Sequence, residues 1–454
     1  MVEPTRIQVL RDLPPKPDAR YVLYWMQSSQ RTTHNPALEY AAATANDLRL
    51  PLVVCFGLMD NYPEANARHY AFMLDGLADV ARRLDRRGIR FVVKHGNPPE
   101  VALHYARDAA VVVCDRNYLR HHKAWRLQVA READRRVVQV EGDVVVPVET
   151  ASDKAEFAAR TLRPKIHKLY ASYLTPLPET PINVPAARLK VSGDIDPVDP
   201  AAALAKLRLD RSVQPVSHFK GGETEAQRRL GHFIEHLLRD YAEGRNEPAA
   251  GATSHLSPYL HFGQISPVHI ALAVRDARGP KADTDAFLEE LIVRRELAIN
   301  HAFYNEKYDQ YAGLPEWARK TLAAHARDRR EHLYSLEQLE TAQTHDPYWN
   351  AAQLEMTRTG FMHNYMRMYW GKKILEWTRT PEEGFAWNLY LNNKYFLDGR
   401  DANSYTGVAW CYGLHDRPWG PERPVYGMVR YMNAAGLERK FDIKAYVKKV
   451  ALLG

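Results

Sequence analysis

The sequence predicts two domains of different class, an α/β domain over residues 19–148 and an all-helical domain over residues 220–454, with a linker over 149–219 between them. Three observations carry this. Short β-rich runs alternate with helical patterns through the first third of the chain, as in a parallel sheet with helices on both faces. Prolines then gather at Pro176, Pro178, Pro181 and Pro185, which reads as an extended surface linker. From Glu223 onward the apolar spacing is helical.

Taken in order, residues 1–18 read as a flexible arm. Five parallel strands of a Rossmann-like sheet follow: Tyr21–Trp25, Leu52–Phe56, Phe91–Val93, Val111–Val113 and Val137–Val140. Helices are expected near Ala37–Asp47, Ala65–Arg87, Pro99–Arg107 and Tyr118–Ala133. Neither GxGxxG nor GxxxxGK[ST] occurs, so the usual nucleotide fingerprints of such sheets are absent. A ligand could still bind at the carboxyl ends of the strands. Within the linker, Arg160–Lys168 is a basic helical piece.

In the second domain Gln227–Glu243, Ala286–Asn305 and Phe361–Trp377 are amphipathic or strongly periodic. Asp346-Pro347 starts another helix, with a carboxylate N-cap and proline in the first turn, and Gly360 ends it. Six of the nine tryptophans lie between Asp346 and Trp419. If the two helices around Gly360 form a hairpin, Trp349 and Trp370 are equally far from the turn and lie side by side. Trp377 follows Trp370 by two turns, roughly 10 Å further out. Indoles in stepping distance make a path for an electron; as ordinary core aromatics they would be equally well placed.

Composition sets the bounds. With 454 residues, 45% hydrophobic and 26% charged, the chain can form two or three ordinary globular cores. No apolar run approaches the ~20 residues of a bilayer span and no signal-peptide pattern opens the chain, so a cytoplasmic protein without a membrane partner is expected. Cys55, Cys114 and Cys411 are too far apart for a disulfide framework or a metal cluster, and no metal is expected. A net charge of +7 favours an anionic partner.

The segment Thr253-Ser254-His255-Leu256-Ser257-Pro258-Tyr259-Leu260 offers hydroxyls and backbone amides ahead of a helix, an arrangement suited to an anion or to a plain helix cap. It continues through His261-Phe262-Gly263-Gln264-Ile265-Ser266. Here the chain resembles the photolyase/cryptochrome family, and within it the class II cyclobutane pyrimidine dimer photolyases. Tyr24–Arg31, His34–Leu38, Asn66–Tyr70, Glu289–Leu297, Phe396–Asp401 and Gly413–Trp419 are similar to that class, and the likeness runs from Tyr21 to Tyr446.

The resemblance implies a helical domain that holds U-shaped FAD. Tyr241, Thr253, Ser254, His255, Leu256, Ser257 and Gln264 would hold its ribityl and phosphate part. Arg367 and Asp398 would pair beside the isoalloxazine, with Asp401 near them. Asn392 would face flavin N5, with Asn403 the rival, since an amide can donate or accept there. The implied reaction is light-driven electron donation from reduced FAD to a flipped-out pyrimidine dimer in ultraviolet-damaged DNA. Trp370, Trp349 and Trp377, in that order outward, would re-reduce FAD. A protonated, desolvated Glu290 would bond the lesion, and Met368 would pack against it. Arg245 would fill the gap in the duplex and Trp410 would wall the lesion pocket. Arg294 stands where relatives carry a tryptophan. Trp419, Arg430 and Lys440 complete the expected DNA surface. A second, antenna chromophore (deazaflavin, folate or flavin) would sit in the first domain. The chain would act as a monomer. The alternative within the family is a cryptochrome-like photoreceptor that binds FAD without repair.

Overall fold

The computed structural model describes residues 2–453. Its first domain is built on six strands: β1 (Ile7–Arg11), β2 (Tyr21–Trp25), β3 (Leu52–Leu58), β4 (Arg90–His95), β5 (Ala109–Asp115) and β6 (Arg136–Val140). They lie in the order β1-β6-β5-β2-β3-β4. β2 to β6 are parallel, whereas β1 runs antiparallel to β6, pairing Ile7 with Val140 and Val9 with Val138. The sheet therefore has one strand more than predicted, and the expected loose arm is a docked edge. Its pattern was hard to read because an edge strand keeps one face in water; Val9 is 41% exposed. The start of the chain is anchored by Arg6, whose buried guanidinium donates to the carbonyls of Glu141, Val144 and Val145.

The predicted strands are fully buried where both faces are covered: β2, β3 and β5 have no exposed residue. Helices α1 (Pro36–Leu48), α2 (Ala67–Arg86), α3 (Pro98–Ala106) and α4 (Arg120–Glu132) lie between the strands in the chain. The loops after β2, β3 and β5 gather at the carboxyl ends of the sheet, and Asp115 at the end of β5 ties the loop after β2. Its buried carboxylate accepts from the amides of Gln27, Ser28 and Ser29 and from the Tyr24 hydroxyl.

The connection over residues 149–219 is more than a surface linker. Its helix α5 (Ala159–Tyr173) sends Leu162 and Ile166 into the same core as Leu230 and Phe233. The extended part then returns over the first domain, where Ile195 and Ala203 join the core of the sheet.

The helical domain comprises α6 (Glu223–His236), α7 (Pro267–Asp276), α8 (Lys281–Leu288), α9 (Arg295–Tyr304), α10 (Glu316–Ala324), α11 (Pro347–Thr359), α12 (Asn364–Trp377), α13 (Pro381–Tyr395), α14 (Ala402–Cys411) and α15 (Ile443–Ala451), with shorter turns between them. The predicted helix over Gln227–Glu243 is broken after His236, where Asp240 turns left-handed. The one over Ala286–Asn305 contains a π-helical turn, Glu289–Arg294, joining α8 to α9. α11 begins and ends as read. Asp346 accepts from the amides of Tyr348 and Trp349, and Gly360 at φ +75° takes the left-handed cap that a side chain disfavours. Two buried carboxylates bind the domains together. Glu223 accepts from the amides of Thr32 and Thr33, and Glu296 from those of Val145 and Val146.

Candidate functional site

A cavity of about 610 Å³ opens in the helical domain. That lies within the usual range for small-molecule and cofactor sites. Its wall brings together residues from the short turn at Tyr241, the Ser254–Ser257 segment, the π turn and helices α9 and α12 to α14. Arg367 and Asp398 form an ion pair there, with both carboxylate oxygens within 3.0 Å of Nη2. The Arg367 guanidinium also lies 3.7 Å from the centroid of the Phe396 ring. Asn392 is held by Asn393 Oδ1, 2.9 Å away, and by the Ser404 hydroxyl. Asp401 caps α14 through the Ser404 amide. Six cationic side chains (Arg245, Arg294, Arg295, Arg367, Arg430 and Lys440) face three carboxylates (Glu290, Asp398 and Asp401), so the wall suits an anionic ligand.

Behind the wall stand the three tryptophans. Trp370 lines the cavity. Trp349 stacks on it with ring centroids 6.4 Å apart and planes 10° from parallel. Trp377 meets Trp349 edge-on at 5.6 Å. The indole N–H of Trp349 donates to the carbonyl of Trp370, and that of Trp370 to Gln353 Oε1. Gln353 is itself oriented by its bond to the Glu340 carbonyl.

A residue-for-residue likeness now has a geometry to rest on. A DNA photolyase family model matches residues 22–182. Over 450 residues the chain is 47% identical to the deoxyribodipyrimidine photo-lyase of Methanothermobacter thermautotrophicus, covering 99% of each chain. The chain belongs to the DNA photolyase family. Membership places it among DNA-repair lyases. The fold agrees with solved photolyases. The class III photolyase of Agrobacterium tumefaciens superposes with a TM-score of 0.73 at 21% identity, over 95% of this chain and 86% of that one. The Sulfolobus tokodaii photolyase, described with two FAD molecules, gives 0.70 at 17% identity, over 94% and 89%.

In this photolyase-family chain most of the anticipated residues share the one cavity. Tyr241, Ser254, Leu256, Ser257, Arg367, Met368, Asn392, Asp398, Asp401 and Asn403 line it, as do Glu290, Arg245, Arg294, Trp410, Arg430 and Lys440. Three expectations do not hold in place. Gln264 is turned away; its Oε1 accepts from the Gly222 amide, and its side chain fills the space that Gly76 of α2 leaves open. Thr253 Oγ1 lies 3.4 Å from His255 Nε2 instead of on the wall. His255, at φ +53°, packs against Phe361 with centroids 4.5 Å apart. Trp419, expected on the DNA surface and not in the cavity, is 36% exposed, with the Arg430 guanidinium 5.1 Å from its ring.

Two further corrections concern environment. Glu290 is neither buried nor alone, because Arg245 Nη1 lies 2.9 Å from its Oε1 and both side chains are partly exposed. The group expected to be desolvated is thus partly exposed and in contact with Arg245. Trp377 was expected at the surface, yet it is 1% exposed. Tyr334 and His345 cover it, with ring centroids 5.4 Å and 5.3 Å away. Moreover the turn opening at Ser257 spans only Ser257–His261, too short for a substantial dipole, so the hydroxyls of Ser254 and Ser257 are the stronger feature.

Sequence reading missed Arg295, Ser404 and Thr406 on the wall. Thr406 Oγ1 is buried without a protein partner, and no periodicity marks such a hydroxyl. A second cavity, of about 130 Å³, lies at the carboxyl ends of the strands, where the sequence left room for a ligand without naming the residues that would hold it. Unpartnered buried atoms of Gln27, Ser28, Gln30, His122 and His261 belong to residues of its wall. Burial and the guanidinium of Arg126 help push the His122 pKa well below its ordinary value, with His121 contributing more than Arg126. Leu260, Arg295, Asp401 and Asn403 line both cavities.

Proposed function

We propose that the chain is a class II enzyme that splits cyclobutane pyrimidine dimers in DNA using light, with FAD in the 610 Å³ cavity. The observation that carries this is one wall holding both an ion pair, Arg367–Asp398, and the first indole of a tryptophan stack. The donor set fits FAD. Ser254 and Ser257 offer hydroxyls to phosphates, the cationic wall offsets their charge, and the unpartnered Thr406 hydroxyl needs a ligand atom. Bound FAD in its reduced state would supply one electron to the lesion under light.

The chain's own residues do the rest. Arg367 and Asp398 would hold the ring system beside a neutralised pair, and Asn392, whose Nδ2 donates to Asn393 and Ser404, would have its Oδ1 left for it. Trp410 offers a face to the extruded bases. Arg294, whose guanidinium lies 5.7 Å from the Trp410 ring, takes the opposite wall with planar cationic stacking in place of an indole. Glu290 must part from Arg245 before it can bond the lesion, and the freed guanidinium is then available to the DNA. Met368 packs beside them. Trp377, Trp349 and Trp370 give electrons an inward route to the wall, with Tyr334 and His345 as its outer cover. Extrusion is least costly for a damaged base pair, which is the basis of lesion selection.

A second chromophore would enter at the smaller cavity, whose wall carries unpartnered polar atoms; at about 130 Å³ that cavity would have to widen to admit a ring system. Purified protein should show flavin absorption, and ultraviolet-irradiated oligothymidine should lose its dimers in blue light and not in darkness. Flavin absorption with equal dimer counts in both tubes would overturn repair in favour of photoreception. A colourless protein would remove both.

A further inference from the structure

The segment Asn66-Ala67-Arg68-His69-Tyr70 opens α2 in the first domain, yet its polar side chains reach into the second. Helix α13 ends at Tyr395, and Phe396 continues in extended backbone (φ −73°, ψ 133°). No left-handed turn folds back to satisfy the last carbonyls, so other groups must do it. Asn66 Nδ2 donates to the Lys394 carbonyl at 2.7 Å, Arg68 Nη1 to that of Tyr395 at 2.9 Å, and His69 Nε2 to that of Phe396 at 3.1 Å. The preceding carbonyl, Asn393, accepts from Arg400 Nη1 at 2.5 Å. Four consecutive carbonyls are thus occupied, three of them by the α/β domain. His69 Nδ1 accepts from the Asn66 amide, which leaves the ring proton on Nε2 for the Phe396 carbonyl; Arg400 Nη1, only 2.8 Å from that nitrogen, then directs its own proton to the Asn393 carbonyl. Arg68 reaches further and also donates to the carbonyls of Met356 and Thr357 at the end of α11.

The capped stretch lies between two residues of the large cavity, Asn392 and Asp398. We propose that Asn66, Arg68 and His69 are positioning residues: a helix cap supplied by one domain that fixes Asn392 and Asp398 where FAD binds in the other. The proposal rests on the FAD reading given above. Each donor sits on the rigid start of a 20-residue helix, so the cap transmits the placement of the sheet domain to the loop. The Lys394 and Tyr395 carbonyls are part-buried, and the buried Phe396 carbonyl accepts from the Gly399 amide as well as from His69, so removing a donor leaves each of them short of a bond and loosens residues 396–400.

The test uses the full chain with His69→Ala and Asn66→Ala, leaving Arg68 in place because it also caps α11. Glu223→Gln serves as the control, since it weakens a different contact between the domains, at Thr32 and Thr33. Amide hydrogen exchange at Leu397, Gly399 and Arg400 should quicken about tenfold in the alanine variants. Their FAD affinity should fall about tenfold, with a displaced midpoint potential of the bound cofactor. His69→Gln, which keeps an N–H donor on a side chain of similar reach, should recover most of both. Glu223→Gln should lower the melting temperature while leaving exchange and flavin readouts within twofold. Unchanged exchange and potential in the alanine variants, or an equal change in the control, would overturn the proposal. Failure of the unaltered chain to take up FAD would instead remove the functional reading, and the exchange data would still decide whether the cap exists.

Discussion

At the scale of single residues, the indoles are held by their own hydrogen bonds. Trp370 donates to an amide oxygen and Trp349 to a backbone carbonyl, neither of which is a base at neutral pH. In the proposed relay a hole on either indole would therefore keep its proton and pass outward. Trp370→Phe should abolish photoreduction of oxidised FAD and leave dimer repair intact once FAD is reduced chemically. Transient absorption and dimer counting check the two halves, and repair lost in both cases would sink the relay. The Arg367–Asp398 pair makes a separate prediction. Its side chains are 23% and 12% exposed, so Asp398→Ala leaves a guanidinium that is mostly desolvated. We expect a loss of about 2 kcal/mol in urea denaturation of the cofactor-free protein, below the cost for a fully buried pair. Arg367→Leu combined with Asp398→Leu should be less destabilising than Asp398→Ala alone.

At the scale of elements, the π turn between α8 and α9 stands out, because both Glu290 and Arg294 on it line the cavity wall. Sequence periodicity reads straight through such a turn, and that is why a single helix was expected over 286–305. Just beyond it, Glu296 is fully buried against the amides of Val145 and Val146, and burial raises its pKa from 4.5 to about 8. A carboxyl whose pKa is higher folded than unfolded favours the fold most below its unfolded value, and that advantage is lost as pH rises through the folded one. The stability margin of the native chain over Glu296→Gln should therefore shrink between about pH 4.5 and pH 8, as followed by denaturant titration at several pH values. A margin that grows with pH would contradict the assignment.

At the scale of the whole molecule, the net charge of +7 gains meaning from where it is placed. Arg430 and Lys440 sit on the cavity wall, where they can meet phosphates flanking an extruded lesion. Replacing either with alanine should weaken binding to damaged and undamaged duplexes alike. Each should also reduce the slope of log affinity against log salt by about 1. A variant that loses affinity only for damaged DNA, with the salt slope unchanged, would move that residue from phosphate contact to lesion contact. No helix among the described residues is long and apolar enough to cross a membrane.

What the sequence determined by itself follows from patterns repeated along the chain. Five strands, the alternating helices and the α11–α12 hairpin were legible because burial on both faces, proline and glycine at helix ends, and tryptophan spacing are local signals. Motif likeness added the roles proposed for Arg367, Asp398 and Asn392. Tertiary structure alone decided what depends on partners distant in the chain. It docked Ile7–Arg11 against β6, turned Gln264 into the space left by Gly76, paired Glu290 with Arg245, covered Trp377 with Tyr334 and His345, and joined Asn66–His69 to the end of α13. A side chain's type fixes which bonds it can make. Which one it does make depends on the donor or acceptor that folding brings within about 3 Å, and that is written in no single stretch of the chain.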